Sequence, residues 1–281
     1  MLSTKHKRIF VSIALATYNG ERFLREQLDS LLSQTYVNFE IVITDDGSTD
    51  GTCEILNEYA MADKRISWKR NTRARGFINN FTEAILLCKG DILFLCDQDD
   101  IWLPEKISEH LHQYENTSVM WVYNEVSLID DLGKHIGYMN DSLVDYYEAS
   151  RRKLLNYVWG SCILGCATSY RTSILKDIFP ADKYAPGHDS WIQLAIWPAK
   201  PGVIRKVLQK YRLHNNNASG FKLLYTENET KALEVRAIVE NLRYLHSLMH
   251  NNKLSYWKRL FFGVVYYAKR IRSKFRLIIK K

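Results

Sequence analysis

The first hundred residues alternate between two hydrophobic periods, and that rhythm constrains the fold more than any other feature. "IFVSIALA" (9–16) is a short β-branched run that reads as a buried strand. "GERFLREQLDSLLSQ" (20–34) then sets Phe23, Leu24, Leu28, Leu31 and Leu32 on one helical face. "NFEIVITDD" is a second strand, and "GTCEILNEYAMA" a helix with Asp50 or Thr49 placed to cap it. "RISWKRN" is a short third strand. "NNFTEAILLCKG" is a helix with Gly90 expected as its C-cap, and "DILFLCDQDD" is a fourth strand. Strand and helix in strict alternation at this spacing predict an α/β fold, a parallel sheet with helices on both faces.

Sheets of this kind bind ligands beyond the carboxyl ends of their strands. Three polar clusters fall at such ends: Thr17-Tyr18-Asn19, Asp45-Asp46, and Asp97-Asp99-Asp100. Three carboxylates within four residues repel one another unless a cation sits among them. Asp97-x-Asp99 suits a divalent Mg²⁺ or Mn²⁺, which takes oxygen ligands from one or two carboxylates and lets substrate phosphates and water complete its shell. Asp100 is expected to cap the next segment, with Pro104 and Glu105 opening that helix. The plainer alternative makes all three solvated turn acids. Asp45 and Asp46 also carry two readings: turn acids before Gly47-Ser48-Thr49, or a carboxylate that contacts a base or ribose.

Beyond residue 104 the pattern loosens. "EKISEHLHQYE" reads as a helix, "SVMWVYNEVSLID" as a strand and "DDLGK" as a turn. "DYYEASRRKLLNYVW" looks helical and "CILGCATSYR" strand-like. "APGHDSWIQLAIWPA" runs from loop into helix, and "GVIRKVLQKYRLH" is a strand pair or a strand extension. From about Leu223 the chain reads as helices, giving a division into a main α/β domain, 1–222, and a helical extension, 223–281. No internal repeat is visible.

The bulk numbers exclude some functions. Of the net charge of +8, ten Lys or Arg lie in 253–281, where there is no Asp or Glu, so the remainder carries −2. A near-neutral body argues against nucleic acid as partner. The five cysteines Cys53, Cys88, Cys96, Cys162 and Cys166 are odd in number and mostly in apolar runs, which predicts reduced buried thiols. "KHKRIFVSIALA" mimics a signal peptide, but its apolar run of eight residues leads straight into "TYNG" and reads as a basic leader and a first strand. No stretch reaches the ~18 apolar residues of a spanning helix.

Taken together, these motifs carry a family resemblance. "VSIALATYNGERFLREQLDSLLSQTYVNFEIVITDDGSTDGT" resembles the opening of a family-2 glycosyltransferase of the GT-A fold, a Rossmann-like, mixed but mainly parallel sheet. "GDILFLCDQDDIWLPEKI" is similar to the acidic region of its rhamnosyltransferase-like members, and "GHDSWI" (187–192) and "YRLHNNNASG" (211–220) match later motifs in order. The resemblance spans about 9 to 220. It implies a nucleobase pocket lined by Ala16, Tyr18 and Asp46, with Asp97 facing ribose or metal. It implies Asp99 as the principal metal ligand, with His214 completing the metal or diphosphate contacts and Arg212 close by. Asp189 takes the place of the general base. His188 stands where the family usually has Glu, on the acceptor side with Trp191.

The implied reaction is inverting transfer from a nucleoside-diphosphate sugar to a hydroxyl of a glycan or lipid-linked acceptor, in cell-surface polysaccharide synthesis. Two rivals remain. A sugar-1-phosphate nucleotidyltransferase would need a Gly-rich basic loop after the first strand, where "TYNGERF" has one glycine. The other is a non-catalytic scaffold built on a transferase-like domain. In the tail, Trp257, Phe261, Val264, Ala268, Ile271, Phe275 and Ile278 form an apolar helical seam flanked by basic residues, as expected of a helix on an anionic membrane. The alternative is packing on the domain or on a second copy in a homo-oligomer. The expected location is cytoplasmic, peripheral on the inner face of the membrane.

Overall fold

The computed structural model describes residues 8–138, 164–182, 184–185, 187–214, 244, 246–252, 254, 256 and 259. Strands β1 (Val11–Thr17), β2 (Phe39–Asp45), β3 (Ile66–Arg70) and β4 (Ile92–Cys96) lie parallel in the order β3-β2-β1-β4. Helices α1 (Glu21–Leu32), α2 (Thr52–Ala62) and α3 (Phe77–Leu87) connect them. The chain steps outward from β1 to β3 and returns past β1 to β4, which opens a crevice at the β1/β4 switch point.

The sheet continues from β4 through β8 (Thr168–Arg171), β6 (Trp121–Ile129) and β9 (Pro201–Arg212) to β5 (Ile101–Trp102), with β7 (His135–Tyr138) paired to β6. Here β6 and β9 are parallel, and β8, β5 and β7 pair antiparallel. Most paired residues lie in parallel ladders, as expected. Helices α4 (Lys106–Gln113), α5 (Thr172–Ile178) and α6 (His188–Ile196) complete the described elements.

The period of two along the strands sorts the core to both faces. Val11, Ile13 and Leu15 of β1 and Ile92, Phe94 and Cys96 of β4 pack with Leu24, Leu28 and Leu31 of α1 and Ile107 and Leu111 of α4. Their alternates Ala14, Leu93 and Leu95 face Phe81, Ala84 and Ile85 of α3 and Trp191, Ile192 and Leu194 of α6. Tyr244, Leu248 and Leu254 join this second core, so part of the C-terminal stretch packs on the α/β body. Asp182 anchors it by accepting from Ser247 Oγ at 2.7 Å and Asn251 Nδ2 at 2.9 Å.

Several local expectations are corrected. Gly90 is not a left-handed cap; α3 ends in extended backbone at Cys88. A Cβ on Gly90 would come within 2.5 Å of Ser12 N and 2.7 Å of Val11 C, so glycine there permits close approach to β1. "DILFLCDQDD" is not one strand: β4 stops at Cys96, the acids turn, and β5 restarts against β9. "CILGCATSYR" begins, among its described residues, with a 3-10 turn at Gly165–Ala167 before β8. "GVIRKVLQKYRLH" is one long strand, bridging β6 and β5. Gly51 occupies the cap position of α2, and Asp50 accepts from Thr52 N at 3.1 Å and Glu21 N at 3.1 Å, tying the starts of α1 and α2 together. The helix read over 145–159, Cys162, the segment 215–220 and the apolar seam beyond Arg259 lie outside the described residues.

Candidate active site

The ends of β2, β1 and β4 are neighbours, so the three polar clusters meet as expected. Asp45 is fully buried and accepts from Gly47 N at 3.1 Å, Ser48 N at 2.9 Å, Thr17 Oγ1 at 3.1 Å and the Ser48 hydroxyl. It is the structural member of the pair, pinning the turn after β2. Asp46, half-buried, accepts from Asn71 Nδ2 at 2.8 Å and Gly76 N at 2.7 Å and thereby ties down the loop after β3. Ala16 is half-buried against the core on the α3 side, and Tyr18 is exposed. The backbone of Tyr18 is clamped to the acidic turn by Gln98, whose Oε1 accepts from Tyr18 N at 2.9 Å while its Nε2 donates to Tyr18 O at 3.1 Å. Gln98, the unassigned middle residue of Asp-x-Asp, was missed because nothing in a lone glutamine signals a backbone clamp.

Asp99 and Asp100 diverge. Asp99 is buried and pairs with His214 Nε2 at 2.8 Å, so the structure brings together the two residues expected to bind metal. Asp100 is no helix cap, which corrects the expectation; Glu105 occupies the cap position of α4. Asp100 is wholly buried and accepts from Arg212 N at 3.1 Å and Gln209 Nε2 at 3.2 Å. Burial and the charges of Asp99 and Asp97 push its carboxyl well above the ordinary range, against the pull of the Arg212 N–H. Burial and Asp99 likewise raise Asp97, to about 7, and Asp189 adds to the effect.

Arg212 organises this corner. Its Nε donates to Asp99 O at 2.8 Å, its guanidinium pairs with Glu26 of α1, and it lies 4.7 Å over the Phe23 ring. His214 packs on the same ring, with centroids 4.9 Å apart. Phe23 looks in sequence like one more apolar position on α1; its task as a platform depends on β9 ending above it.

Asp97, Asp100 and Cys166 offer three ligand atoms all within 4.8 Å of one another. They make a poor Mg²⁺ or Mn²⁺ site, since hard cations take oxygen and burial pushes the Cys166 thiol well up, away from thiolate. Asp99 and His214, whose side chains meet, offer an oxygen and an imidazole nitrogen that suit such a cation better. The reduced-thiol expectation holds for Cys53, Cys88, Cys96 and Cys166, all free.

Asp189 sits in the first turn of α6, half-buried, with Oδ1 accepting from Ser190 N at 2.7 Å. Gly165 lets α6 approach: a Cβ there would lie 3.3 Å from Asp189 Cβ and 3.0 Å from His188 Nε2. His188 is buried and stacked on Phe81 with centroids 3.9 Å apart, and its Nδ1 has no hydrogen-bond partner among the described residues. Burial pushes its pKa down. Trp191, expected on the acceptor side, is fully buried in the core and donates Nε1 to Ile178 O at 3.0 Å. The helical period decides this, carrying Trp191 to the face of α6 that packs inward.

A family model described as glycosyl transferase family 2 matches residues 12–179. The chain belongs to that family. The transferase is 29% identical over 233 residues to an Escherichia coli protein named UDP-Glc:alpha-D-GlcNAc-diphosphoundecaprenol beta-1,3-glucosyltransferase WfaP, covering 81% of this chain and 88% of that one. It superposes on S. aureus TarS in complex with UDP-GlcNAc with a TM-score of 0.61 at 17% identity, covering 94% of this chain and 73% of that one. A mannosyltransferase of Pyrobaculum calidifontis in complex with GDP-Man and Mn²⁺ gives 0.59 at 17% identity, covering 93% and 70%. At such identity these two structures speak for the fold, which is the expected GT-A fold. The sugars in these three names are glucose, N-acetylglucosamine and mannose; rhamnose is not among them. The family match sets aside the nucleotidyltransferase alternative. No helix among the described residues is long and apolar enough to cross a membrane.

Proposed function

We propose that this transferase moves a sugar, with inversion, from a nucleoside-diphosphate sugar to a hydroxyl of a lipid-linked glycan, working at the inner surface of the membrane in polysaccharide synthesis. One observation carries the reading: Asp189 opens α6 beside the acidic turn after β4, close enough for its charge to raise Asp97. A general base and a diphosphate-binding corner must face each other across one reacting carbon, and the nearness of Asp189 to the acidic turn supports that reading. The diphosphoundecaprenol in the name of the E. coli relative supports the acceptor class.

In this reading the nucleoside lies over Ala16, Tyr18 and Asp46, with Asp97 toward the ribose. Asp99 and His214 would hold a Mg²⁺ or Mn²⁺, whose chemistry is charge neutralisation of the diphosphate leaving group. Asp189 accepts the proton of the acceptor hydroxyl. The acceptor oxygen forms its bond to the anomeric carbon from the face opposite the departing diphosphate, which takes the electron pair of the broken bond. His188, beside Asp189, borders the acceptor, and Trp191 holds α6 in place from the core.

Asp189→Asn tests the base. Donor binding, read by thermal shift with a nucleotide sugar, should persist while transfer falls ~100-fold or more. Equal losses of binding and rate would make Asp189 structural, and full activity would end the reading.

A further inference from the structure

We infer that Lys106 is a positioning residue of the transferase, a built-in cation that orients Gln209 and through it holds Asp100 and the metal-binding turn. The inference rests on the metal reading of Asp99 and His214. Lys106 opens α4 and is fully buried. Its Nζ donates to Cys166 O at 2.6 Å and to Gln209 Oε1, and lies 3.9 Å over the Trp102 ring. A buried ammonium is costly unless its surroundings compensate it. Its compensation comes from a carbonyl, an amide oxygen, an aromatic face and, at longer range, Asp100 and Asp97. Burial lowers its pKa to about 8, so it stays mostly charged at neutral pH.

The consequence lies in the direction of an amide. An ammonium can only donate, so Gln209 must turn its oxygen to Lys106. Its Nε2 is then forced to the other side, where it donates to Asp100 Oδ2 at 3.2 Å and Cys166 Sγ at 3.1 Å. The other Asp100 oxygen accepts from Arg212 N at 3.1 Å, and Arg212 Nε donates to Asp99 O at 2.8 Å. Both ends of the Asp99-Asp100 step are thus fixed to β9. Without Lys106 the Gln209 amide is free to reverse and set oxygen against the Asp100 carboxyl, and the turn carrying Asp97 and Asp99 loses its Gln209 tie to β9, leaving Arg212 to hold it from that strand.

The test is Mn²⁺ binding in the presence of UDP, read from the free-ion electron paramagnetic resonance signal, on the full chain, Lys106→Met and Gln209→Glu. Gln209→Glu keeps a partner for Lys106 but presents a carboxylate oxygen to Asp100. The expected result is that both variants, folded by circular dichroism, bind Mn²⁺ at least 10-fold more weakly. The Mn²⁺ concentration for half-maximal transfer should rise in parallel. Unchanged Mn²⁺ affinity in either folded variant overturns the inference; should Lys106→Met not fold, Gln209→Glu decides. Absence of Mn²⁺ binding by the wild-type chain with UDP would instead overturn the metal reading itself.

Discussion

At the scale of single residues, identity in the sequence and task in the structure often part company. Of the five Asp residues at the ends of β2 and β4 that look alike in sequence, four show how far their jobs differ: Asp45 and Asp100 are wholly buried and internally satisfied, Asp46 holds a loop, and Asp99 faces His214. Gly90 makes the same point. As a cap it would need a left-handed backbone; instead it stands where any Cβ would strike the β1 main chain, and its own N–H donates to Ser12 Oγ at 2.7 Å. Gly90→Ala should destabilise the protein by about 1–3 kcal/mol, the usual cost of overpacking. Gly90→Asn, which a left-handed cap would tolerate, should cost at least as much. Urea unfolding of both variants checks this, and a near-neutral Asn variant would restore the cap explanation.

At the scale of elements, α4 carries an acid sensitivity. His110 is fully buried, with Nδ1 2.8 Å from Ser169 Oγ and Nε2 2.9 Å from Asn124 Oδ1. Burial, and then the charge of Lys106 one turn earlier, push its pKa down to about 3. In the unfolded chain a histidine titrates near 6.5. Between those values the unfolded state binds the extra proton, so stability is lost as pH falls from about 6.5 toward 3. By pH 5 the loss from this group reaches about 2 kcal/mol. Urea unfolding at pH 7.5 and 5.0 should show that increment in the wild-type chain and lose it in His110→Gln. The helix itself was legible as a period; that His110 lies on its buried face, under β6 and β8, followed only from what packs there.

At the scale of the whole molecule, the C-terminal stretch divides in two. Tyr244, Leu248 and Leu254 belong to the core, and Asp182 holds Ser247 and Asn251. Beyond Arg259 the apolar seam and seven Lys or Arg remain. At ~1 kcal/mol for each cation near an anionic surface, even half of these suffice for peripheral attachment. Truncation after Arg259 should keep the thermal midpoint and transfer to a soluble acceptor, yet abolish co-sedimentation with anionic vesicles. Binding of the full chain should fade in high salt, because exposed charges are screened over ~10 Å at 0.1 M. Truncation before Tyr244 should lower the midpoint, since it strips buried apolar area from the core. Retained vesicle binding after the shorter truncation would remove the tail from the membrane reading.

By itself the sequence determined the parallel half of the sheet, its helices on both faces and the meeting of the acidic clusters at one edge. Those follow from local periods of 2 and 3.6 and from the handedness of strand–helix–strand crossovers, which short stretches of chain enforce without distant help. It also carried Asp99, His214 and Asp189 as candidates, through motif order. Only the tertiary structure decided which acid is structural, that Trp191 is core, and that Lys106, Gln209, Arg212 and Phe23 form a scaffold under the acidic turn. Lys106 and Gln209 are 103 residues apart, and Arg212 and Glu26 are 186 apart. A buried charge is defined by what surrounds it, and those surroundings exist only once β9 has closed against β5 and the acidic turn.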